Sequence, residues 1–410
     1  MRHHTGHRAR RIFTMLGLVI LVTALVAIFC FRLDFLPRPT GPHHIGTTVF
    51  TVVDENRPEI FTSGDHPRTL TVQVWYPTTA IQGPTEPYVR DAKAFAGVLD
   101  AVRLPHATLG YLSLAQTHAL TDAPIAEGSF PVVFVLTGNL GYRQSNTVQV
   151  EELVSRGFAV IGIDQPGTVS SALLEDGRRI PYGGSTVVRP LVDQSIDPVS
   201  PAPTLDGVSY PDGIADYLAQ DPRVVLDRLA SGDLPGGLPT EIAERLDLKQ
   251  VGAFGLSLGG LTTSQWCATD QRVKACAMLD APMSRTASQR GLDVPALWIT
   301  RPAEDMRAEN WPEHEVTRYA EGQHALYEAN RAPAWYLTAA GRKHADLSDA
   351  PYGNQLLALA GMTSAGKDEE THDVIRFATT DFFEHTLAGR TDTGVLEDAP
   401  WEDVEVTARP

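Results

Sequence analysis

Cysteine is scarce in this sequence, and basic residues are outnumbered by acidic ones. Three Cys are too few for a disulfide scaffold, and a formal net charge of −16 argues against a basic face that binds nucleic acid. Hydrophobic residues make up 43% of the 410 residues, which excludes an intrinsically disordered chain. The composition is therefore that of a globular protein with a sizeable core.

The few cysteines leave the redox state of the chain open. Cys30 lies in a long apolar run, while Cys267 and Cys276 lie in the second half of the chain. In an oxidising compartment these two could form a disulfide, and two buried free thiols fit the sequence equally well.

Charge is absent from residues 12–31, a run about as long as one membrane-spanning helix. Residues 1–11 carry four arginines, and by the positive-inside bias we expect this segment to stay in the cytoplasm. We therefore expect a single-pass anchor in the cell membrane, with the remainder of the chain outside the cytoplasm. A cleaved signal peptide with secretion is the first alternative, and a buried core helix is the second.

The rest of the chain divides by composition. Pro-rich residues 32–46 predict a linker, residues 47–390 a single domain, and residues 391–410 an acidic, frayed tail. Alternating apolar and polar residues predict strands at Thr47–Val53 and Thr69–Tyr76, as an antiparallel edge.

Near-continuous apolar runs alternate with helical patterns through most of the domain. Such runs are typical of strands buried on both faces of a parallel sheet, which predicts a mostly parallel, doubly wound α/β domain. The predicted strands are Phe130–Leu136, Phe158–Asp164, Gln250–Gly255, Val273–Asp280, Pro295–Thr300 and Pro333–Thr338. The predicted helices are Thr147–Arg156, Pro222–Leu229, Ser257–Ala268 and Asp373–Leu387. Residues 165–210 lack this periodicity and predict an irregular lid or pocket rim.

One short motif carries the first chemical signal. Residues 255–259 read Gly-Leu-Ser-Leu-Gly and match G-x-S-x-G, in which the serine occupies a tight turn between a strand and a helix. The predicted strand before the motif and the predicted helix after it supply the required context. We therefore predict that Ser257 is a nucleophile at the carboxyl edge of the sheet.

A serine nucleophile needs a base, and in hydrolases with this motif the histidine follows the serine in the chain. His344 directly follows the last predicted strand, which places it at the same sheet edge as Ser257. We therefore predict that His344 is the base. The other histidines after Ser257 are His314, His324, His372 and His385.

The acid that orients the histidine has two candidates. Asp280 ends a predicted strand in the apolar segment MLDAPM, as expected of a buried orienting carboxylate. Asp305 follows the next strand, but its surrounding run RPAEDMRAE reads as solvated. We favour Asp280 and keep Asp305 as the alternative.

An oxyanion formed on the substrate needs two N–H donors. The Leu258 amide, directly after the nucleophile, is the first predicted donor. The second is expected from the loop after the strand Phe130–Leu136, as the backbone amide of Asn139 or Leu140.

These segments together resemble the platelet-activating-factor acetylhydrolase-like family of α/β-hydrolases, in a bacterial membrane-anchored or secreted form. The similarity runs from about residue 69 to residue 387 through TVQVWYP, FPVVFVLTGNLGYR, RGFAVIGID, GLSLGG, MLDAPM and GRKHADLSD. It implies the α/β-hydrolase fold, Asp280 as the acid and His344 as the base. It also implies hydrolysis of carboxylic esters, with the short sn-2 acyl group of phospholipids as the family's named substrate. Two segments depart from the family pattern, Thr137-Gly138 and residues 165–167.

The sequence therefore predicts a serine carboxylic-ester hydrolase that acts on a small-molecule or lipid ester. It carries no metal-ligand spacing and no nucleotide loop, and we expect neither a cofactor nor an obligate protein partner. An envelope acyltransferase with the same triad and a cutinase-like polyester hydrolase are the alternatives. A non-catalytic surface protein with a hydrolase-like fold is the least favoured interpretation.

Overall fold

The computed structural model describes residues 14–15, 33–353, 356–359, 361–364 and 368–410. The predicted basic segment, residues 1–11, lies outside the described residues, and so does the predicted anchor, residues 12–31, apart from two positions. Among the helices that the structure describes, none combines the length and hydropathy needed to cross a membrane.

The described part of the chain contains one large sheet of eleven strands and two small hairpins. The strands are β1 (His44–Pro58), β2 (Pro67–Thr78), β3 (Thr85–Pro87), β4 (Gln116–Thr121), β5 (Phe130–Leu136), β6 (Ala159–Asp164), β7 (Ser171–Leu173), β8 (Arg179–Pro181), β9 (Thr204–Leu205), β10 (Val208–Ser209), β11 (Leu246–Leu256), β12 (Val273–Leu279), β13 (Ala296–Thr300), β14 (Ala334–Ala339) and β15 (Val404–Arg409).

The large sheet has the order β15-β14-β13-β12-β11-β5-β6-β2-β1-β4-β3. Its centre, from β14 to β6, is parallel throughout. The pairs β2–β6, β1–β2, β3–β4 and β14–β15 are antiparallel, while β1 and β4 are parallel. The prediction of a mostly parallel sheet is confirmed, but β1 and β2 do not form its edge, because β4 and β3 lie outside them.

Helices cover both faces of this sheet. The α-helices are Ala96–Ala101, Ala107–Gly110, Thr147–Ser155, Ser185–Gln194, Ala215–Ser231, Thr240–Ala243, Leu258–Cys267, Arg285–Arg290, Ala303–Ala308, Glu313–Ala329, Ala350–Gly353, Leu356–Leu359 and Asp368–Leu387. The 3₁₀ helices are Ala92–Phe95, Tyr111–Leu114, His344–Leu347 and Gly394–Leu396.

Successive residues of the central strands enter two separate cores, one on each face. In β5, Phe134 packs into the core with Trp266 of the helix Leu258–Cys267, whereas Val133 and Val135 pack into the core with Phe382. Because side chains alternate across a strand, a strand with a core on each face must be apolar throughout. This explains the near-continuous apolar runs.

The N-terminal and C-terminal boundaries of the domain differ from the prediction. The predicted linker, residues 32–46, is part of the domain, because β1 begins at His44 and the side chains of Phe35 and Leu36 are buried in a cluster with Tyr88. The predicted frayed tail, residues 391–410, ends in β15, which pairs antiparallel with β14. The bounds differ because backbone pairing and apolar burial outweigh the local proline content and acidity.

The predicted irregular region, residues 165–210, contains more regular structure than its composition indicates. It holds the hairpin β7–β8, the strands β9 and β10, and the helix Ser185–Gln194. This helix packs through Leu191 against Leu258 and Leu261 of the helix that follows the G-x-S-x-G motif. The region therefore lies beside the predicted nucleophile, as a pocket rim would.

The helix Ala215–Ser231 begins seven residues, or about two turns, before the predicted start at Pro222. Proline inside a helix leaves the carbonyl four residues earlier without its usual N–H donor. Here the Leu218 carbonyl accepts a hydrogen bond from the Gln165 side chain at 2.9 Å. A tertiary contact therefore compensates for the proline, which local sequence could not indicate.

Cys267 and Cys276 form a disulfide. The first is the last residue of the helix Leu258–Cys267, and the second lies in β12. The bond therefore ties the helix after the nucleophile motif to the strand that leads to Asp280, and it decides the alternative that the sequence left open.

Candidate active site

The turn between β11 and the helix Leu258–Cys267 places Ser257 at the carboxyl edge of the sheet. Ser257 has φ +56°, a left-handed backbone conformation that residues other than glycine adopt only at a cost in conformational energy. The flanking glycines allow this turn to pack closely. A Cβ on Gly255 would lie 2.3 Å from the Gly259 backbone, and a Cβ on Gly259 would lie 1.9 Å from the Leu136 carbonyl oxygen.

The backbone around Ser257 bears on the first of the two expected oxyanion donors. The Ser257 amide is used within the fold, because it donates to the Leu279 carbonyl at 2.9 Å. Leu258 is the first residue of the following helix, and an amide in the first helical turn has no acceptor within the helix. The Leu258 amide directly follows Ser257 in the chain and has no acceptor inside that helix, which is the position that the motif gives to an oxyanion donor.

The loop after β5 lies against Ser257 and distinguishes the two candidates for the second donor. A Cβ built on Gly138 would be 3.4 Å from the Ser257 Cβ, so the loop is in contact with the serine. The Leu140 amide donates to the Thr168 carbonyl at 2.8 Å and is engaged there. Asn139 lines both cavities that Ser257 lines. The geometry therefore favours Asn139 over Leu140.

His344 and Asp280 are brought together from strands that are separated by β13. His344 begins the 3₁₀ helix after β14, and its Nδ1 lies 2.7 Å from Oδ2 of Asp280, the residue after β12. Asp280 is fully buried, whereas the His344 side chain is 27% exposed. Since Nδ1 is held by the carboxylate, Nε2 is the ring nitrogen available to other groups.

The Asp280 carboxylate has a second ionic partner. Oδ2 also accepts a hydrogen bond from Nε of Arg301 at 2.7 Å, and both side chains are fully buried. Burial alone would raise the pKa of Asp280. The Arg301 guanidinium and the His344 hydrogen bond outweigh it and hold that pKa below its ordinary value. Asp280 is therefore an ionised carboxylate beside the imidazole.

Asp305, the alternative acid, contacts the histidine loop but not the imidazole. Its Oδ2 accepts a hydrogen bond from the Gly341 amide at 2.6 Å. Asp305 thus holds the backbone three residues before His344, while Asp280 holds the imidazole ring.

Two aromatic residues pack beside the imidazole. The ring of Trp311 lies 5.3 Å from the His344 ring, and the ring of Tyr319 lies 6.3 Å from it. Tyr319 lines a cavity together with Ser257, and burial, only partly offset by the nearby serine hydroxyl, raises the pKa of Tyr319 to about 12. Tyr319 is therefore neutral at physiological pH.

The other histidines after Ser257 have different surroundings. His314 and His324 are exposed on the helix Glu313–Ala329. His372 contacts the Ser348 carbonyl at 2.8 Å, and His385 contacts the Arg390 carbonyl at 2.9 Å. The structure thus places His344 at the site and the other four elsewhere.

Ser257 and His344 line the same cavity of about 390 Å³, here called the apolar chamber. Its walls are mainly aliphatic and aromatic side chains, including Tyr88, Phe95, Val98, Leu109, Leu112 and Tyr142. Tyr142 packs edge-to-face against Tyr88 and Phe95, with ring centroids 5.9 and 5.0 Å apart. A ligand that reaches both Ser257 and His344 from this chamber is surrounded by apolar surface.

Ser257 also lines a second cavity of about 190 Å³, here called the polar chamber. It lies between the helices Ser185–Gln194 and Glu313–Ala329. Its charged residues are paired across these helices, Arg189 with Glu315 and Arg318 with Asp193. The chamber therefore offers hydrogen-bonding groups without excess charge of either sign.

Within the residues that the structure describes, no group of three or more His, Cys, Asp or Glu side chains is arranged to hold a metal ion.

Sequence reasoning missed Arg301, Glu309, Trp311 and Tyr319. The segment around Asp305 was expected to be solvated, yet Arg301 is buried and 5.2 Å from the Trp311 ring centroid. The available signal was position, since Arg301 directly follows β13 at the edge where the other site residues emerge. Glu309 and Tyr319 had no such signal, because they reach the site from the turns and helices after that strand.

Comparison with known proteins supports the fold. No protein-family model matches the sequence, and no curated protein matches it. A solved structure, the ferulic acid esterase from Streptomyces cinnamoneus, superimposes with a TM-score of 0.69 at 22% sequence identity, covering 91% of this chain and 98% of that one. The α/β-hydrolase fold predicted from the sequence is confirmed, while the closer resemblance to the platelet-activating-factor acetylhydrolase-like family stays a prediction.

Proposed function

We propose that this protein is a serine carboxylic-ester hydrolase with the triad Ser257, His344 and Asp280. One observation carries the proposal: a buried, ionised Asp280 holds Nδ1 of His344, and the same imidazole shares a cavity with Ser257 at the nucleophile turn. This arrangement leaves Nε2 to take a proton from the serine. The ferulic acid esterase with the same fold is consistent with this reaction class.

In the proposed reaction, Oγ of Ser257 attacks the ester carbonyl carbon while His344 accepts the hydroxyl proton. The tetrahedral intermediate then expels the alcohol, which takes that proton from His344. A water molecule repeats the sequence on the acyl-enzyme, with His344 as base, and releases the acid and the free serine. Asp280 stabilises the imidazolium that forms in both halves.

The negative charge on the carbonyl oxygen would be held by the backbone amides of Leu258 and Asn139. Both residues line the polar chamber beside Ser257, and Asn139 also lines the apolar chamber. The Asn139 side chain donates to the Tyr182 hydroxyl at 3.1 Å, which ties the loop to the rim formed by residues 165–210.

The two chambers suggest how an ester would lie across Ser257. We assign the acyl group to the apolar chamber, because its walls favour a hydrocarbon chain or ring. The alcohol then faces the polar chamber. Arg189 and Arg318 are already paired with carboxylates. A phospholipid phosphate would therefore have to displace a carboxylate from one of these arginines, whereas a neutral alcohol would not. Short-chain acyl esters of neutral alcohols are therefore favoured over phospholipids.

An aromatic acyl group is the second candidate. The edge-to-face rings of Tyr88, Phe95 and Tyr142 provide a wall suited to a planar ring. The solved structure with this fold is called a ferulic acid esterase, which favours testing a hydroxycinnamate ester beside aliphatic ones.

The nucleophile can be tested by covalent labelling. We expect a fluorophosphonate probe to label the wild-type protein and Ser231→Ala, and to leave Ser257→Ala unlabelled, since phosphonylation needs an activated serine. Ser231 is an exposed serine at the end of the helix Ala215–Ser231 and provides the matched control. Equal labelling of wild type and Ser257→Ala, detected by gel fluorescence, would show that the nucleophile is another residue.

The acyl assignment can be tested by narrowing the apolar chamber. Ala101→Trp, at the exposed end of a helix that lines the chamber, is expected to lower the octanoyl-to-acetyl ratio of kcat/KM about tenfold. Ala308→Trp, at the exposed end of another short helix, is the control and should leave that ratio unchanged. The measurement uses p-nitrophenyl esters, with methyl ferulate for the aromatic candidate. An unchanged ratio in Ala101→Trp contradicts the assignment.

A further inference from the structure

Arg301 lies at the centre of a cluster of charged side chains that holds His344. The cluster consists of Asp280, Arg301 and Glu309 and is here called the bracket. Its Nε donates to Asp280 Oδ2, the same oxygen that holds the imidazole Nδ1. Its Nη1 donates to Glu309 Oε2 at 3.1 Å and to the Arg342 carbonyl at 3.2 Å. Arg301 therefore contacts both the acid and the backbone of the histidine loop.

Glu309 closes the bracket on the other side. Its Oε1 accepts a hydrogen bond from the His344 backbone amide at 3.0 Å, while its Oε2 contacts Arg301. The side chain of His344 is thus held through Asp280, and its backbone through Glu309, with Arg301 joining the two carboxylates. The Trp311 ring contacts both groups: its centroid lies 5.2 Å from the Arg301 guanidinium and 5.3 Å from the His344 ring centroid.

The charge of this bracket acts on the proposed base. The imidazolium formed during the reaction is stabilised by Asp280, but the Arg301 cation shares the same carboxylate oxygen and opposes a second positive charge nearby. In a buried site this opposition is weakly screened. The ionisable groups on the elements around His344 include carboxylates, cations and one phenol: Asp280, Asp305, Glu309, Asp346, Asp349, Arg301, Arg318, Arg342, Lys343 and Tyr319.

We propose that Arg301 is a positioning residue that keeps His344 neutral, and so available as a base, to lower pH than an Asp–His pair alone would allow. The inference rests on the proposed ester hydrolysis and deepens it. It states that the pH below which activity is lost, here called the acid limit, is set in part by a residue that does not touch the substrate. A merely structural Arg301 would affect rate and stability without moving that limit.

The test compares pH profiles of kcat/KM with a short p-nitrophenyl ester. We expect Arg301→Met to move the midpoint of the acid limb to higher pH by about one unit. Arg301→Lys keeps the positive charge, and its midpoint is expected to lie close to that of the wild-type protein. Glu309→Gln keeps an acceptor for the His344 amide but removes a negative charge, so its midpoint is expected to move to lower pH. Arg307→Met, which removes an exposed arginine from a neighbouring helix, controls for net charge.

A second readout separates this inference from the proposed function. In the Ser257→Ala background, the His344 ring proton can be titrated by NMR and assigned by its loss in His344→Gln. The same shifts are expected in Arg301→Met and Glu309→Gln, whether or not the wild-type protein hydrolyses an ester. An unmoved midpoint in Arg301→Met by both readouts overturns the proposal. If Arg301→Met does not fold, Glu309→Gln decides the question. A midpoint in Glu309→Gln that stays at the wild-type pH or moves to higher pH overturns the proposal.

Discussion

Replacing Asp280 by Asn is expected to lower kcat/KM for ester hydrolysis by about 10⁴-fold. The carboxylate holds Nδ1 of His344 at 2.7 Å, and an amide there can present its N–H to the ring and favour the wrong tautomer. The change also leaves the buried Arg301 with less negative charge to face. Steady-state kinetics with a p-nitrophenyl ester measure the loss.

Asp305→Asn is the matched control for this prediction. It makes the same chemical change on the next strand-end segment and keeps an oxygen that can accept from the Gly341 amide. We expect kcat/KM to stay within about threefold of wild type. A large loss in Asp305→Asn together with a small one in Asp280→Asn would reverse the assignment of the acid.

Gly259→Ala is expected to destabilise the fold by about 4 kcal/mol or more, or to prevent folding altogether. The added Cβ would lie 1.9 Å from the Leu136 carbonyl oxygen, and both atoms belong to rigid parts of the fold. Relief would require β5 to separate from the helix Leu258–Cys267. The free energy of unfolding, measured by urea denaturation, gives the size of the effect.

Gly236→Ala provides the comparison for that measurement. No atom lies within 4 Å of a Cβ built at Gly236, so the same substitution meets open space. We expect a change of less than about 1 kcal/mol in the free energy of unfolding. Equal stability of Gly236→Ala and Gly259→Ala would show that the close packing of the nucleophile turn is not required.

The sequence alone was sufficient to predict the parallel centre of the sheet and the strand–turn–helix arrangement at Ser257. Strands buried on both faces need apolar residues at every position, so β5, β6 and β11 to β14 are visible as runs. The turn at Ser257 is visible because its tight packing admits only glycine on both sides. Since parallel strands end at one edge, the order of Ser257, Asp280 and His344 along the chain also placed them near one another.

The tertiary structure decided what depends on contacts between distant segments. It paired β15 with β14, although the acidity of residues 391–410 indicated a frayed tail, because an open strand edge gains hydrogen bonds from any extended segment that reaches it. It joined Cys267 to Cys276, and it used the Leu140 amide within the fold, leaving Asn139 as the favoured oxyanion donor.

The surroundings of the proposed triad also depend on contacts between distant segments. A charged run such as residues 301–309 reads as solvated when each residue is judged by its neighbours in sequence. In the fold, Arg301 is buried because two carboxylates satisfy its charge: Asp280, which comes from the end of another strand, and Glu309, which folds back from the end of the same run. Local sequence determines where a strand ends and which side chain stands there. Only tertiary structure determines whether a partner is present to allow the charge to be buried.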